Sequence, residues 1–460
     1  MSLRLRHLIA SSVGVCALLV AASCQDQTTD LVPNRVLDRP TDVALTCVQF
    51  DCEDGDCEVT PVSLNQCSNL QNGSCNTTQD GTNTAMVGFL TNSERNEVAM
   101  FRSCDGTLVD LDHDLPGYNF IPAGTLPSTI DASEGGCRIV AANAGSCDLT
   151  VLDAPALGAM AFDVDPGREP SSLVGQVVPL RFDDATGEWL PLGARIGEAL
   201  TVPANASNGV PIAGSDPSAC INGQQSSAYV SFPGCDLVAE LDLQDGRILQ
   251  SFQFVTDDDG SVRVINTGES PVCPVDCPVQ FPEGLPEDIP NAQPDGVALS
   301  ALHLLDTLES EEGASPGDAY RLFVAGMGDD HLFEIALNPD GIFQCGAVEG
   351  CDPADASCDC TDVLRKELLE AKGIQRVRHT PVMQVAEGSD TLGGDHQFLY
   401  VIAGDGSTRV VDRDLSDDPD EIGVECDTQV EARDDAVAST LCPPVEVTPE
   451  GLPSLWVQDI

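Results

Sequence analysis

The residues of this chain with chemistry to offer are cysteines, carboxylates and a few histidines, and their spacing decides which chemistry is open to them. There are 20 cysteines in 460 residues. Structural zinc wants paired Cys-x-x-Cys spacings with histidines nearby, whereas Cys273-Pro-Val-Asp-Cys277 and Cys358-Asp-Cys360 lack a second half. Disulfides are the better expectation. Ser103-Cys104-Asp105, Ser146-Cys147-Asp148 and Gly234-Cys235-Asp236 place a cysteine just before what reads as a third strand, and Cys137 and Cys220 precede the strand before it. A hairpin would then join Cys137 with Cys147 and Cys220 with Cys235. By the same proximity, Cys273 pairs with Cys277, Cys345 with Cys351, and Cys426 with Cys442. Such bridges staple the fold by restricting the unfolded chain, and imply no redox catalysis.

Carboxylates cluster at Asp110-Leu-Asp112-His-Asp114, at Asp257-Asp258-Asp259-Gly260 and at Asp417-Asp418-Pro-Asp420-Glu421. An EF-hand loop needs glycine at its sixth position and an acid at its twelfth, but Leu115 and Ile121 stand there after Asp110. A looser loop site for calcium and an ordinary solvated turn both fit; no other cofactor is expected. There is no Gly-x-Ser-x-Gly elbow, His-Glu-x-x-His, glycine-rich phosphate loop or Ser-x-x-Lys. No catalytic residue is assigned. The charge balance, 75 acidic against 21 basic residues and a net −54, excludes nucleic acid as a partner, because such a surface repels phosphates. It favours solubility and salt tolerance, and could attract calcium or basic partners.

The elements that must position these residues are repeated. Proline-led openings recur at Pro40-Thr-Asp-Val-Ala-Leu45, Pro127-Ser-Thr-Ile-Asp-Ala132, Pro217-Ser-Ala-Cys-Ile221, Pro294-Asp-Gly-Val-Ala-Leu299 and Pro381-Val-Met-Gln-Val-Ala386. Each is associated with two short apolar runs bounded by Gly, Asn or Asp, the signature of strands. These runs are 85–90 and 97–101, 138–142 and 149–153, 228–232 and 237–242, 322–325 and 332–336, and 398–403 and 408–412. A turn and a further strand follow in 241–252, and a similar turn lies within 180–190, where Gly246 and Gly187 supply the left-handed position. Four antiparallel strands per repeat make the unit of a β-propeller blade. The pattern resembles YVTN-type and related surface-layer propeller repeats, best in Leu399-Tyr-Val-Ile-Ala403-Gly and Leu322-Phe-Val-Ala-Gly326.

The resemblance implies an all-β propeller of about five to six divergent blades over 40–460, with long disulfide-bearing insertions at 47–80, 154–216, 257–293 and 344–373. Only Asp362 to Gly373 reads as a helix, by its end residues. Asp330-His331 and Asp395-His396 flank strands where loops could converge on a central funnel; ordinary loop histidines are the plainer alternative. Residues 452–460 echo 126–131 and look like the opening of a sixth repeat, which either closes the ring or marks a fragment.

The N-terminus supplies the remaining constellation. A short positive segment, Met1 to His7, precedes an apolar stretch from Leu8 to Ala22, as in a signal peptide. Val20-Ala21-Ala22-Ser23-Cys24 resembles the lipobox of bacterial lipoproteins, which implies cleavage after residue 23 and lipid on Cys24. An ordinary signal peptide cut near Ser23, with Cys24 in a disulfide, is the alternative. The chain then divides into a signal (1–23), a polar tether (24–39) and the propeller-like domain (40–460). With Cys16 removed and Cys24 lipidated, 18 cysteines remain, an even number suited to an oxidising compartment. Gln25 does not resemble an inner-membrane retention signal, so an outer-membrane location in the cell envelope is expected. The function so implied is a lipid-anchored binding or scaffolding propeller whose face holds a protein or glycan ligand. A metal-dependent propeller hydrolase or lactonase and a purely structural envelope component are the alternatives.

Overall fold

Runs of alternating and continuous apolar residues fold as strands throughout the computed structural model. It describes residues 37–53, 56–62, 67, 84–103, 106–109, 111, 120–132, 138–161, 173–202, 227–256, 262–273, 299–306, 320–326, 331–337, 364–368, 374–379, 383–385, 394–396, 398–403, 408–412 and 424–426. Among the described residues the fold is all-β, with five sheets of four to six strands and two two-stranded ribbons.

The first sheet contains β1 (Pro40–Glu53), β2 (Asp56–Val62), β3 (Thr84–Asn92), β4 (Glu97–Arg102), β5 (Thr107–Leu108) and β6 (Phe120–Pro122), in the order β2-β1-β3-β4-β5 with β6 also on β4. The second contains β7 (Pro127–Ala132), β8 (Arg138–Asn143), β9 (Asp148–Asp153) and β10 (Val174–Val177), with helix α1 (Ala154–Ala161) between the last two. A ribbon, β11 (Leu180–Asp183) and β12 (Glu188–Pro191), leads to the third sheet: β13 (Ala199–Thr201), β14 (Ser227–Phe232), β15 (Leu237–Asp242), β16 (Ile248–Thr256) and β17 (Val262–Asn266). The fourth is β18 (Leu299–Asp306), β19 (Tyr320–Gly326), β20 (His331–Leu337) and β21 (Leu364–Leu368). The fifth has β22 (Ile374–His379), then, past the ribbon β23 (Met383–Val385) and β24 (Gly394–His396), β25 (Phe398–Ala403), β26 (Thr408–Asp412) and β27 (Val424–Cys426).

Each sheet buries a face on the next. Successive side chains of a strand point to opposite faces, so Ile139 and Ala141 of β8 join a core with Phe89, Val98 and Met100 of the first sheet. Their neighbours Val140 and Ala142 pack instead with Val230, Phe232 and Leu237 of the third. On β19, Leu322 and Val324 face the third sheet's Tyr229 and Phe252, while Phe323 and Ala325 face the fifth sheet's Leu399 and Val401. A strand buried on both faces reads as a continuous apolar run rather than an alternating one, which is why 139–142 and 322–325 look alike. The first strands of successive sheets are neighbours, β1 with β7, β7 with β13, β13 with β18, and β18 with β22.

Several expectations need correction. Residues 364–368 are an edge strand on β20, not part of a helix, because pairing to β20 overrides local helix preference. The first strand of the third sheet is β13; Pro217 to Ile221 lies outside the described residues. In the fifth sheet the first strand is β22, and Met383–Val385 pairs in the ribbon with β24. The segments 47–80, 154–216, 257–293 and 344–373 are not irregular insertions throughout, since they contain the end of β1, β2, α1, β10–β13, β17 and β21. Helix α1 starts on an aspartate cap, with Ala156 N donating to Asp153 Oδ1 at 3.1 Å. Among the described residues no helix is long and apolar enough to cross a membrane.

Candidate functional site: two unlike ends of the sheets

The connections within the sheets fall into two kinds. A four-residue link joins β3 to β4, β8 to β9, β14 to β15, β19 to β20 and β25 to β26: 93–96, 144–147, 233–236, 327–330 and 404–407. Links at the opposite end of the sheets include 63–83, 154–173, 202–226, 307–319, 338–363 and 380–397. We refer to these as the turn end and the connection end.

At the turn end the geometry is repetitive. Asn96, Cys147 and Asp236 take the left-handed conformation (φ 58°, 58° and 48°) immediately before the third strand. Thr91 Oγ1 accepts from Asp42 N at 2.9 Å, and Ser231 Oγ, at the corresponding place, accepts from Glu198 N at 2.9 Å. The residue after Pro40 and the residue after Pro127 each reach the next sheet: the Thr41 hydroxyl donates to Pro127 O at 3.3 Å and the Ser128 hydroxyl to Gly197 O at 3.4 Å. Ser93 Oγ donates to Pro127 O as well.

Carboxylates of the first strands tie the same seams. Ile130 N donates to Asp42 Oδ2 at 2.9 Å, and Thr201 donates through both N and Oγ1 to Asp131 Oδ2 at 2.8 Å. These acids are therefore engaged with neighbouring backbone. The joint between sheets 1 and 2 carries a buried polar network. Asn143 Nδ2 donates to Asp148 Oδ1 (2.8 Å) and Thr150 Oγ1 (2.9 Å), and the Ser146 hydroxyl donates to Asp148 Oδ1 (2.7 Å). Gly124 N and Thr125 N donate into it, to Thr150 Oγ1 (3.1 Å) and Ser146 Oγ (2.9 Å). A Cβ on Gly124 would lie 2.4 Å from Asp148 Oδ1 and 2.5 Å from Asn143 Nδ2.

The connection end is varied. There β1 extends beyond its pairing with β3 and continues against β2, setting Asp51 across from Glu58 and Glu53 across from Asp56. Helix α1 packs beside this hairpin, and Val48 lies 3.0 Å from where a Cβ on Gly158 would be. Arg138 and Asp153 pair at 3.4 Å. Ribbon β11–β12 docks on the third sheet, with Leu180 N donating to Gly246 O (2.7 Å), and the Arg247 guanidinium stands 5.2 Å from the centre of the Trp189 ring.

Two charged features lie inside the sheets. Arg321 and Glu334 form a 3.0 Å ion pair, the glutamate side chain 1% exposed. Burial pushes the Glu240 carboxyl above its ordinary range; hydrogen bonds from Ser227 and Gln250 (Nε2 to Oε2, 2.5 Å) oppose this, and the nearby Asp242 charge adds to it.

The sequence-derived site residues divide as follows. Cys24, Cys137, Cys220, Cys277, Cys345, Cys351 and Cys442 lie outside the described residues, as do the three carboxylate clusters apart from the strand edges beside them. Cys147 is disulfide-bonded. Cys235 is bonded to Cys273, Cα atoms 5.1 Å apart, so neither Cys220–Cys235 nor Cys273–Cys277 is the pairing. The chain after β17 returns to the turn that holds Cys235, a contact made across two strands that proximity in sequence does not reveal. A further bridge, Cys47–Cys67, clasps β1 at the base of its hairpin. Cys104 does not precede a third strand, since it follows β4. Cys426 ends β27. His331 begins β20 and stacks on Phe333 at 6.0 Å, whereas His396 ends β24 in the separate ribbon. Among the described residues no three His, Cys, Asp or Glu side chains are placed to hold a metal ion.

No protein-family model matches the sequence, and no curated protein does. Solved structures with partial overlap include a putative 6-phosphogluconolactonase from Bacteroides uniformis, at 11% identity, covering 83% of this chain and 94% of that one with a TM-score of 0.33. Dihydro-heme d1 dehydrogenase NirN overlaps at 12% identity, 87% and 67% coverage and a TM-score of 0.31. AztD from Citrobacter koseri does so at 13% identity, 80% and 79% coverage and 0.28. Overlaps this loose carry no argument about architecture or activity.

Proposed function

We propose that the chain is an exported, lipid-anchored binding scaffold, built as a β-propeller whose blades are the five sheets. The observation that carries it is the inequality of the two ends. One end carries four-residue turns of shared geometry at 93–96, 144–147 and 233–236, and the other spends its length on long connections, the usual division between a scaffold and the surface it presents. Adjacent first strands and face-to-face burial of successive sheets support a radial arrangement around the row β1, β7, β13, β18, β22. Disulfides at Cys47–Cys67 and Cys235–Cys273 support an oxidising compartment, and Cys24 is the anchor, with the outer membrane as its site.

The ligand is a protein or glycan held by the connection end. Mass spectrometry of the mature N-terminus tests the anchor: an acylated Cys24 is expected, with Cys24→Ser released from the membrane fraction, and an unmodified Cys24 defeats it. Photo-crosslinkers placed singly at both ends of the full chain in intact cells test the binding surface. Adducts confined to the connection end are expected; an even distribution, or none, defeats the scaffold reading.

A further inference from the structure

The β1–β2 hairpin contains an energetic conflict. Asp51 stands across from Glu58 and Glu53 across from Asp56, two like-charge pairs directly opposed on one face of a two-stranded ribbon. Each such pair opposes strand association, and beyond Gln49 no third strand among the described residues pairs with β1. Between those two pairs, on the other face of the ladder, the register sets Cys52 across from Cys57.

We infer that Cys52 and Cys57 form a cross-strand disulfide that holds the acidic hairpin closed. With only residues 54 and 55 between Glu53 and Asp56, the closing pair is the hydrogen-bonded one, and alternation makes Cys52 and Cys57 a non-hydrogen-bonded pair. Such pairs bring Cα atoms to about 4.5 Å, within the range a disulfide spans. The Cys47–Cys67 bridge belongs to the opposite face, by the same alternation, and already occupies the cysteines that flank Cys52 and Cys57 in sequence.

The bond forms by thiol–disulfide exchange with an oxidised dithiol protein or glutathione disulfide. One cysteine thiolate attacks the oxidant's disulfide, expelling a thiolate and leaving a mixed disulfide; the second thiolate attacks the hairpin-side sulfur, closing Cys52–Cys57 and expelling the second thiolate. Two electrons pass to the oxidant, whose two thiols take up the two protons.

The full chain, purified and equilibrated with glutathione disulfide so that the outcome does not depend on export, is alkylated without reduction, digested and mapped. The expected peptide carries Cys52 and Cys57 unalkylated, lighter than its reduced form by two hydrogens. Alkylation of both, or a link from either to another cysteine, overturns the inference. The holding role is read with a glutamate-specific protease. The Cys52→Ser, Cys57→Ser variant should be cut at the tip about fivefold faster than wild type at low salt. The difference should shrink at high salt, and adding Asp56→Asn and Glu58→Gln should restore protection. Equal cleavage at low salt, or no rescue by the charge substitutions, overturns the role even where the bond is mapped.

Discussion

The turn end and the connection end are made by the same strands, yet one is uniform and the other is not. The difference lies in where polar atoms are satisfied. At the turn end, hydroxyls and a carboxylate of one sheet are spent on backbone groups of the next: Thr41 on Pro127, Ser128 on Gly197, Asp42 on Ile130. A longer turn would displace the partner's backbone as well as its own. At the connection end several described polar contacts stay within one sheet, as when Arg102 Nη2 donates to Thr107 Oγ1 and Gln244 N to Asp242 Oδ1, and the bond from Leu180 N to Gly246 O joins the ribbon to the third sheet without recurring elsewhere among the described residues. Repetition is therefore a property of the seams.

The scale against which both ends are judged is set by the interior. Replacing Arg321 with Met should cost about 3 kcal/mol, because it leaves the Glu334 carboxylate buried without its 3.0 Å partner. Adding Glu334→Leu should recover most of that loss in urea denaturation, and a double variant no better than the single one would show that the pair is not the source.

The seam itself is tested by Gly124→Ala. Its new methyl group would enter the Asn143, Ser146 and Asp148 network, and a loss of about 2 kcal/mol is expected. The counterpart at the connection end is Gly106→Ala, where φ is 66° and nothing lies within 4 Å of the added carbon. Only backbone strain remains there, about 1 kcal/mol. Equal losses at Gly124 and Gly106 would erase the distinction between the ends.

The smallest effect belongs to Glu240. Its carboxyl is raised above 4.5 in the folded protein, so as pH climbs past 4.5 the unfolded chain releases its proton first. Stability then falls through the window up to the raised folded value and levels off. Glu240→Gln, which can still accept from Gln250, removes this loss. Its Tm should exceed wild type by about 2 °C at neutral pH, and the gap should close below the unfolded value. A gap independent of pH would assign the effect to packing.

The second and third strands were legible because burial on both faces writes continuous apolar runs such as 139–142 and 322–325. First strands were less so. Pro127 opens β7 as expected, but β13 is three residues long and begins at Ala199 without a proline, and β22 interleaves Arg376 and Arg378 with its apolar positions. The seams were half visible: the recurring prolines were apparent, and the hydroxyl that follows Pro40 and Pro127 was the unused signal. The helix expected over 362–373 failed because local preference is weaker than a free edge on β20. The Cys235–Cys273 bond was out of reach, since it depends on β16 and β17 folding back before the two thiols can meet.

The placement of β1 has a mechanical consequence. The chain from the proposed anchor enters at its first residue, and the entrance is clamped by Asp38 N on Asn92 Oδ1 (2.6 Å) and by the Arg95–Asp38 pair (2.5 Å). Beyond it, β1 is paired with β3 from Pro40 to Gln49 and with β2 from Cys47 to Glu53. Tension on the tether directed along β1 would load both ladders in shear, so that many bonds resist together, and the Cys47–Cys67 clasp would pass part of the load into covalent chain. Pulled from its N-terminus in that direction, the molecule would hold at its first strand instead of unzipping from it.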